Sequence, residues 1–152
     1  MIKKEFKDVK VWVVGRKIPS WLVNFSRNQK DIIVTENIPD ARDAYRRASI
    51  MVAPIKGKGG TRLKILEAMA AGLPVVSTDA GVAGLKLTHG VNVLIAKNSK
   101  DLAEKALMLL KDEILAEGIG KKGQRHVRRY FDWKSVVKLH DPVYKELVKK
   151  GR

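Results

Sequence analysis

Arg62, Lys64 and Glu67 stand together in one short stretch, directly after the run Gly57-Lys58-Gly59-Gly60-Thr61. Read as a glycine loop opening into a helix, this places two cations in the first helical turn and a carboxylate one turn later. The first turn of a helix carries backbone N–H groups with no intrahelical partner, and with the helix dipole they form a site for phosphate. Gly57, Gly59 and Gly60 allow close backbone approach to a ligand. Arg62 offers a planar fork for phosphate oxygens and Lys64 a point charge. Cations at this end oppose the dipole, which suits a bound anion better than it suits helix stability. Glu67, acceptor-only when ionised, can take hydrogen bonds from vicinal hydroxyls. A diphosphate joined to a ribose satisfies all these groups at once.

Two other phosphate motifs fail at the same residue. A Walker A loop counted from Gly57 requires glycine where Arg62 stands, and so does the dinucleotide fingerprint G-x-G-x-x-G. The residues alone leave a plainer alternative open, in which the glycine run merely joins a strand to a helix.

The elements that must hold this stretch follow from apolar spacing. Short runs rich in Val and Ile at 10–15, 31–35, 49–53, 74–77 and 91–95 predict strands, and their near-continuous apolar character predicts burial on both faces. Helices are expected at about 20–29, 40–47 and 61–71, with Asp40 as an N-cap and Gly72 closing the third. In that third helix Leu63, Leu66, Met69 and Ala70 are expected to face the core. The alternation predicts an α/β fold, a Rossmann-like parallel sheet with flanking helices. From Ser99, read as a cap, the pattern is helical, with Leu102, Ala106, Leu109 and Leu110 on one face. Gly118, Gly120 and Gly123 are expected to loosen a join between helices. Trp133, Val136, Val137 and Leu139 predict a last helix that Pro142 kinks or breaks.

Composition narrows the class. The 152 residues fit one domain, and an apolar share of 45% excludes a disordered chain. There is no cysteine, hence no disulfide or thiolate metal site. His89, His126 and His140 lack ligand spacing and read as surface or helix residues. No apolar run approaches the roughly 20 residues of a membrane span, and none resembles a secretory signal. The net charge of +15 is spread over nearly every segment, which argues for solvated faces and an anionic substrate rather than nucleic acid.

The stretch Glu67-Ala68-Met69-Ala70-Ala71-Gly72-Leu73-Pro74-Val75-Val76 resembles the donor-binding segment of family-four (group 1) glycosyltransferases of the GT-B fold. Their pattern places a further Glu where this chain has Gly59, and one branch reads Gly-Gly-Thr-Arg-Leu-Lys as Gly59 to Lys64 do. Val11 to Gly15, Ile32 to Thr35 with Ile38-Pro39-Asp40, Ala48 to Pro54, Gly90 to Ile95 and Tyr130 to Trp133 are similar to other segments of the family. The resemblance implies residues 1–152 are the nucleotide-sugar-binding C-terminal domain, without the N-terminal acceptor domain and without the first strand of its own sheet. Strands 10–15 and 49–53 would then pair directly or receive a strand from another chain. It implies retaining transfer of a hexose from a nucleoside-diphosphate sugar to an unidentified acceptor hydroxyl, with no metal and no cofactor, and negligible turnover from the isolated chain. The catalytic residues implied are Arg62 and Lys64. The donor-binding set is Gly59, Gly60, Thr61, Arg62, Leu63, Lys64 and Glu67, with Thr35 and Ile38 flanking the base. A cytoplasmic or membrane-peripheral location is implied. The rival readings are a GT-B nucleotide-sugar epimerase, which needs further acid–base carboxylates, and a non-enzymatic basic module for nucleic acid or a protein partner.

Overall fold

The computed structural model describes residues 2–57 and 62–150, without the side chains of 138–141, 143, 149 and 150. It divides into two compact units, Met1–Ala48 and Ser49–Arg152. The strands form two parallel sheets, one of two strands and one of three.

The first unit contains α1 (Ile2–Glu5), β1 (Val11–Gly15), α2 (Ser20–Arg27), β2 (Ile32–Glu36) and α3 (Ala41–Arg47). β1 pairs with β2 from Val11 opposite Ile32 to Gly15 opposite Glu36. Across that ladder Trp12 Nε1 donates to Thr35 Oγ1 at 2.9 Å, and the Arg47 guanidinium lies 4.9 Å from the centre of the Trp12 ring. Asp40 caps α3 as expected, accepting from Arg42 N at 2.9 Å. The expected burial of these strands on both faces is not met. Val11 is 56% and Ile33 41% exposed, and no described residue of this unit is fully buried. Two strands present too little surface to cover both of their faces, so apolar character alone does not make them a core. The chain's first residues form a helical turn rather than a strand. Direct pairing of 10–15 with 49–53, one of the two expected outcomes, is not among the described ladders.

The second unit contains β3 (Met51–Ala53), α4 (Leu63–Ala70), β4 (Val75–Thr78), α5 (Asp79–Val82), β5 (Leu94–Ala96), α6 (Ser99–Lys111), α7 (Glu113–Tyr130) and α8 (Trp133–Lys150). Its sheet runs in the order β3-β4-β5, with Val52 opposite Val76 and Val76 opposite Leu94. The fully buried apolar residues all lie here, among them Ile65, Met69, Val75, Val76, Val93 and Ile119. Each such side chain contributes about 1.5–3 kcal/mol when removed from water. The last strand is shorter than the expected 91–95, because residues 88–92 form a turn. Thr88 N donates to the buried Asn92 Oδ1 at 2.8 Å, and Gly90 has a φ of +74°.

α7 corrects one expectation directly. Gly118, Gly120 and Gly123 lie inside this helix, not in a join. A Cβ on Gly120 would meet Gly72 O at 2.3 Å, and one on Gly123 would meet Met69 Cε at 3.0 Å. Those two glycines let α7 close onto the C-terminal end of α4, where Gln124 Nε2 also donates to Ala70 O at 2.9 Å. α6 is capped by Asn98, whose Oδ1 accepts from Asp101 N at 2.9 Å, and Ser99 is its first residue rather than its cap. Ala106 and Leu109 are the buried members of its expected apolar face. α8 continues through Pro142 instead of stopping there.

Two carboxyl groups carry a pH signature. Asp40 is held below the usual carboxylate range chiefly by the Arg42 side chain and then by its backbone N–H. Asp101 is held down chiefly by Lys105 and then by the backbone N–H of Lys97. A depressed carboxylate adds stability that is complete above the unfolded-state pKa of about 3.9 and is lost as pH falls through the lower folded value. Thermal unfolding followed by circular dichroism should give a Tm that declines below about pH 4. Asp101→Asn should reduce that decline while lowering the neutral-pH Tm, and an unchanged acid slope in this variant would remove Asp101 from the account.

Candidate functional site

α4 is buried along one face and exposed along the other. Ile65, Leu66, Ala68 and Met69 are buried, so the core face is the arc of 65, 66, 68 and 69. This shifts the expected face. Leu66 and Met69 are on it, whereas Leu63, 62% exposed, and Ala70 are turned to solvent. At about 100° per residue, Leu63 and Ala70 fall well outside the arc centred on Ile65 and Met69, on its solvent side. The C-terminal end is closed by Gly72 as expected, with a φ of +82°. Gly72 N donates to Met69 O at 2.9 Å and Leu73 N to Ala68 O at 3.0 Å, the paired bonds of a Schellman stop.

The N-terminal end is different. Arg62 occupies the cap position, and among the described residues no side chain caps the helix and no acidic residue sits in its first turn. Arg62 O accepts from Ile65 N at 2.9 Å and Leu66 N at 3.1 Å. Lys64 and Glu67 are exposed and three residues apart, hence on one side of the helix, opposite the buried arc. The Arg62 guanidinium, expected to present its fork to a ligand, donates instead to two carbonyls. Nη2 reaches Gly57 O at 2.9 Å, and Nη2 and Nε reach Ala80 O at 3.2 and 3.3 Å. Gly59, Gly60 and Thr61 lie outside the described residues. Thr35 and Ile38, both half-buried, belong to the first unit, where Thr35 Oγ1 is engaged by Trp12.

A cavity of about 360 Å³ opens in the second unit, lined by Pro54 to Gly57 after β3, Thr78 to Ala80 at the end of β4 and Ala96 to Ser99 at the end of β5. In parallel α/β sheets ligands bind outside the carboxyl ends of strands, and this cavity occupies that place. Its walls are fixed from below. Ser77 Oγ donates to Ala53 O at 3.0 Å and Thr78 Oγ1 to Ile55 O at 2.6 Å, tying the exit of β4 to that of β3. Lys56, Asp79 and Lys97 bring charge to it. The sequence reading missed these three. The available signal was positional, since each stands within two or three residues of a strand's carboxyl end, but no local motif marks them.

Two of the three histidines take structural roles. His89 Nδ1 accepts from Ile95 N at 2.9 Å, and His126 Nε2 lies 2.9 Å from Leu85 O, which fixes the proton on that nitrogen. The side chain of His140 is outside the described set. Among the described residues no cluster of three or more His, Asp or Glu could hold a metal, and no helix is long and apolar enough to cross a membrane.

Residues 1–112 match the family model described as glycosyl transferases group 1. The chain is 32% identical to the phosphatidyl-myo-inositol mannosyltransferase of Mycobacterium leprae over 155 aligned positions, covering 96% of this chain and 40% of that protein. It spans at most about two fifths of the length of this and other curated relatives. Among solved structures, the C-terminal domain of a glycosyl transferase group 1 family protein (LpcC) from Francisella tularensis aligns with a TM-score of 0.72 at 27% identity, over 87% of this chain and 74% of that one. The Anabaena protein HepE, solved in complex with UDP-glucose, aligns with a TM-score of 0.75 at 20% identity, over 93% of this chain and 41% of that one, a likeness of fold. With a family model covering more than half its length and the parallel α/β architecture of GT-B C-terminal domains, this chain belongs to the group 1 glycosyltransferases.

Proposed function

We propose that this chain binds a nucleoside-diphosphate sugar at the start of α4 and acts as the donor-binding, C-terminal domain of a retaining glycosyltransferase that passes a hexose to an acceptor hydroxyl. One observation carries the reading. A helix buried on one side and locked at its C-terminal end leaves its N-terminal turn without a side-chain cap among the described residues, with Lys64 and Glu67 together on the solvent side. In this reading the backbone N–H groups of that turn and Lys64 hold the diphosphate. They stabilise the negative charge that grows on it as the sugar–oxygen bond breaks, a fixed-dipole role. Glu67 accepts from the ribose hydroxyls. Gly59, Gly60, Thr61 and Leu63 are assigned to the phosphates and sugar. The sugar-bearing end extends toward the cavity at the strand ends. In this reading an acceptor domain completes the cleft, another chain supplies the strand that joins the first unit's sheet, any general base belongs to that domain or to the substrate, and turnover from this chain alone is negligible. The net charge of +15 favours an anionic donor and suits an acceptor presented on an anionic surface. A complex of the Anabaena protein with UDP-glucose supports the donor class.

Titration calorimetry with UDP, GDP and ADP tests this. One of them should bind and be displaced by its own nucleotide sugar. Failure of all three, together with salt-sensitive oligonucleotide binding that survives Lys64→Ala, would replace the reading with a basic nucleic-acid module.

A further inference from the structure

Arg62 was expected to grip phosphate, yet its donors are directed inward. A guanidinium has five N–H donors. Three of Arg62's hydrogen bonds run from Nε and Nη2 to carbonyl oxygens, at 3.3 and 3.2 Å to Ala80 and 2.9 Å to Gly57. Both bidentate edges of the group include Nη2, so neither can close on a phosphate while these bonds stand; Nη1 alone is left to touch a ligand. Swinging the group outward would strip the donor from two carbonyls, one of them on the half-buried turn after β4. The same residue's carbonyl accepts the first two bonds of α4. Arg62 thus joins three pieces of chain that surround the site: the loop leaving β3 at Gly57, the start of α4, and α5 at Ala80. Gly57 and Ala80 both line the cavity at the strand ends.

We propose that Arg62 is a positioning residue, a latch that sets the separation of Gly57, on the loop leaving β3, and the α5 turn, and that Lys64 rather than Arg62 supplies the cation that touches the diphosphate. The ligand half of this statement rests on the nucleotide reading above; the latch half does not.

The test therefore has two arms on the intact chain. In the first, hydrogen exchange followed by mass spectrometry is measured without ligand on Arg62→Lys, Arg62→Gln and the parent protein. Exchange in peptides covering 53–57 and 79–83 should rise at least tenfold in both variants, because neither replacement can bridge two carbonyls as a fork does. Peptides from α7 should stay unchanged, which reports that the core is folded. Unchanged exchange at both sites in the two variants overturns the latch. A variant that also loosens α7 is set aside and the other decides.

In the second arm UDP binding is measured at several salt concentrations. Loss of a cation that touches the ligand weakens the salt dependence, whereas loss of a latch lowers affinity and leaves that dependence as it was. Arg62→Lys should lose at least fivefold in affinity with an unaltered salt slope, and Lys64→Ala should flatten the slope. An unchanged slope in Lys64→Ala, or a flattened slope in Arg62→Gln, overturns the assignment of ligand contact to Lys64. Absence of UDP binding in the parent protein counts against the nucleotide reading and leaves the exchange arm standing as the judge of the latch.

Discussion

Replacement of Glu67 by alanine should weaken nucleoside diphosphate binding about 10- to 100-fold. The estimate follows from hydrogen bonds to a charged group, which are worth about 1.5–3 kcal/mol, and from the tenfold change in affinity that each 1.4 kcal/mol brings. The effect should be the same for the diphosphate and for the bare nucleoside, because the carboxylate is assigned to the ribose. Lys64→Ala should behave differently. It should lower affinity for the diphosphate about tenfold at low salt, less at high salt, and leave nucleoside binding nearly untouched. Lys64 is exposed, so its change should not move the Tm by more than the equivalent of about 0.5 kcal/mol. Calorimetry with a diphosphate and its nucleoside on the three proteins separates these outcomes. Equal losses for both ligands in Lys64→Ala would remove the lysine from the phosphate site. Unchanged binding in Glu67→Ala would end the assignment of the ribose to α4.

The largest stability effect is expected far from any ligand, at Gly120. An added Cβ would stand 2.3 Å from Gly72 O and 3.5 Å from Pro74 Cδ. The carbonyl cannot retreat easily, because Gly72 is fixed at a φ of +82° by the stop of α4, and Pro74 leads directly into the buried β4. Overpacking of this kind costs about 3 kcal/mol, which for a chain of this size lowers the Tm by roughly 6–12 °C. Gly118 supplies the control. A Cβ there meets nothing within 4 Å, so Gly118→Ala should stabilise the helix by up to about 1 kcal/mol through propensity alone. Thermal unfolding of the two variants decides it. Similar Tm values would mean that α7 can slide on α4 and that the close contact does not set the stability of the unit. If Gly120→Ala instead displaces α7, α4 loses its support, and ligand binding should fall with it.

The local chemistry of α4 was legible from sequence because each signal acts within a turn or two of its own residue. A glycine past the last helical turn, a capping aspartate before α3 and short valine-rich runs at the strands depend on backbone sterics and local hydrogen bonds, which a sequence states directly. The reading of the stretch from Gly57 to Glu67 as a phosphate site draws on the same kind of local signal. What the residues could not state was direction. Arg62 reads as a phosphate fork until Ala80, on the turn after another strand, is brought within hydrogen-bond reach of it. Gly120 reads as a loose joint until Gly72 is set against it. Lys56, Asp79 and Lys97 read as ordinary surface charges until three parallel strands end side by side. Sequence determined which groups could bind an anion and hydroxyls. Tertiary structure decided which of them still face outward, because a donor's partner is set by whatever the fold places three ångströms away, and that neighbour is often far along the chain.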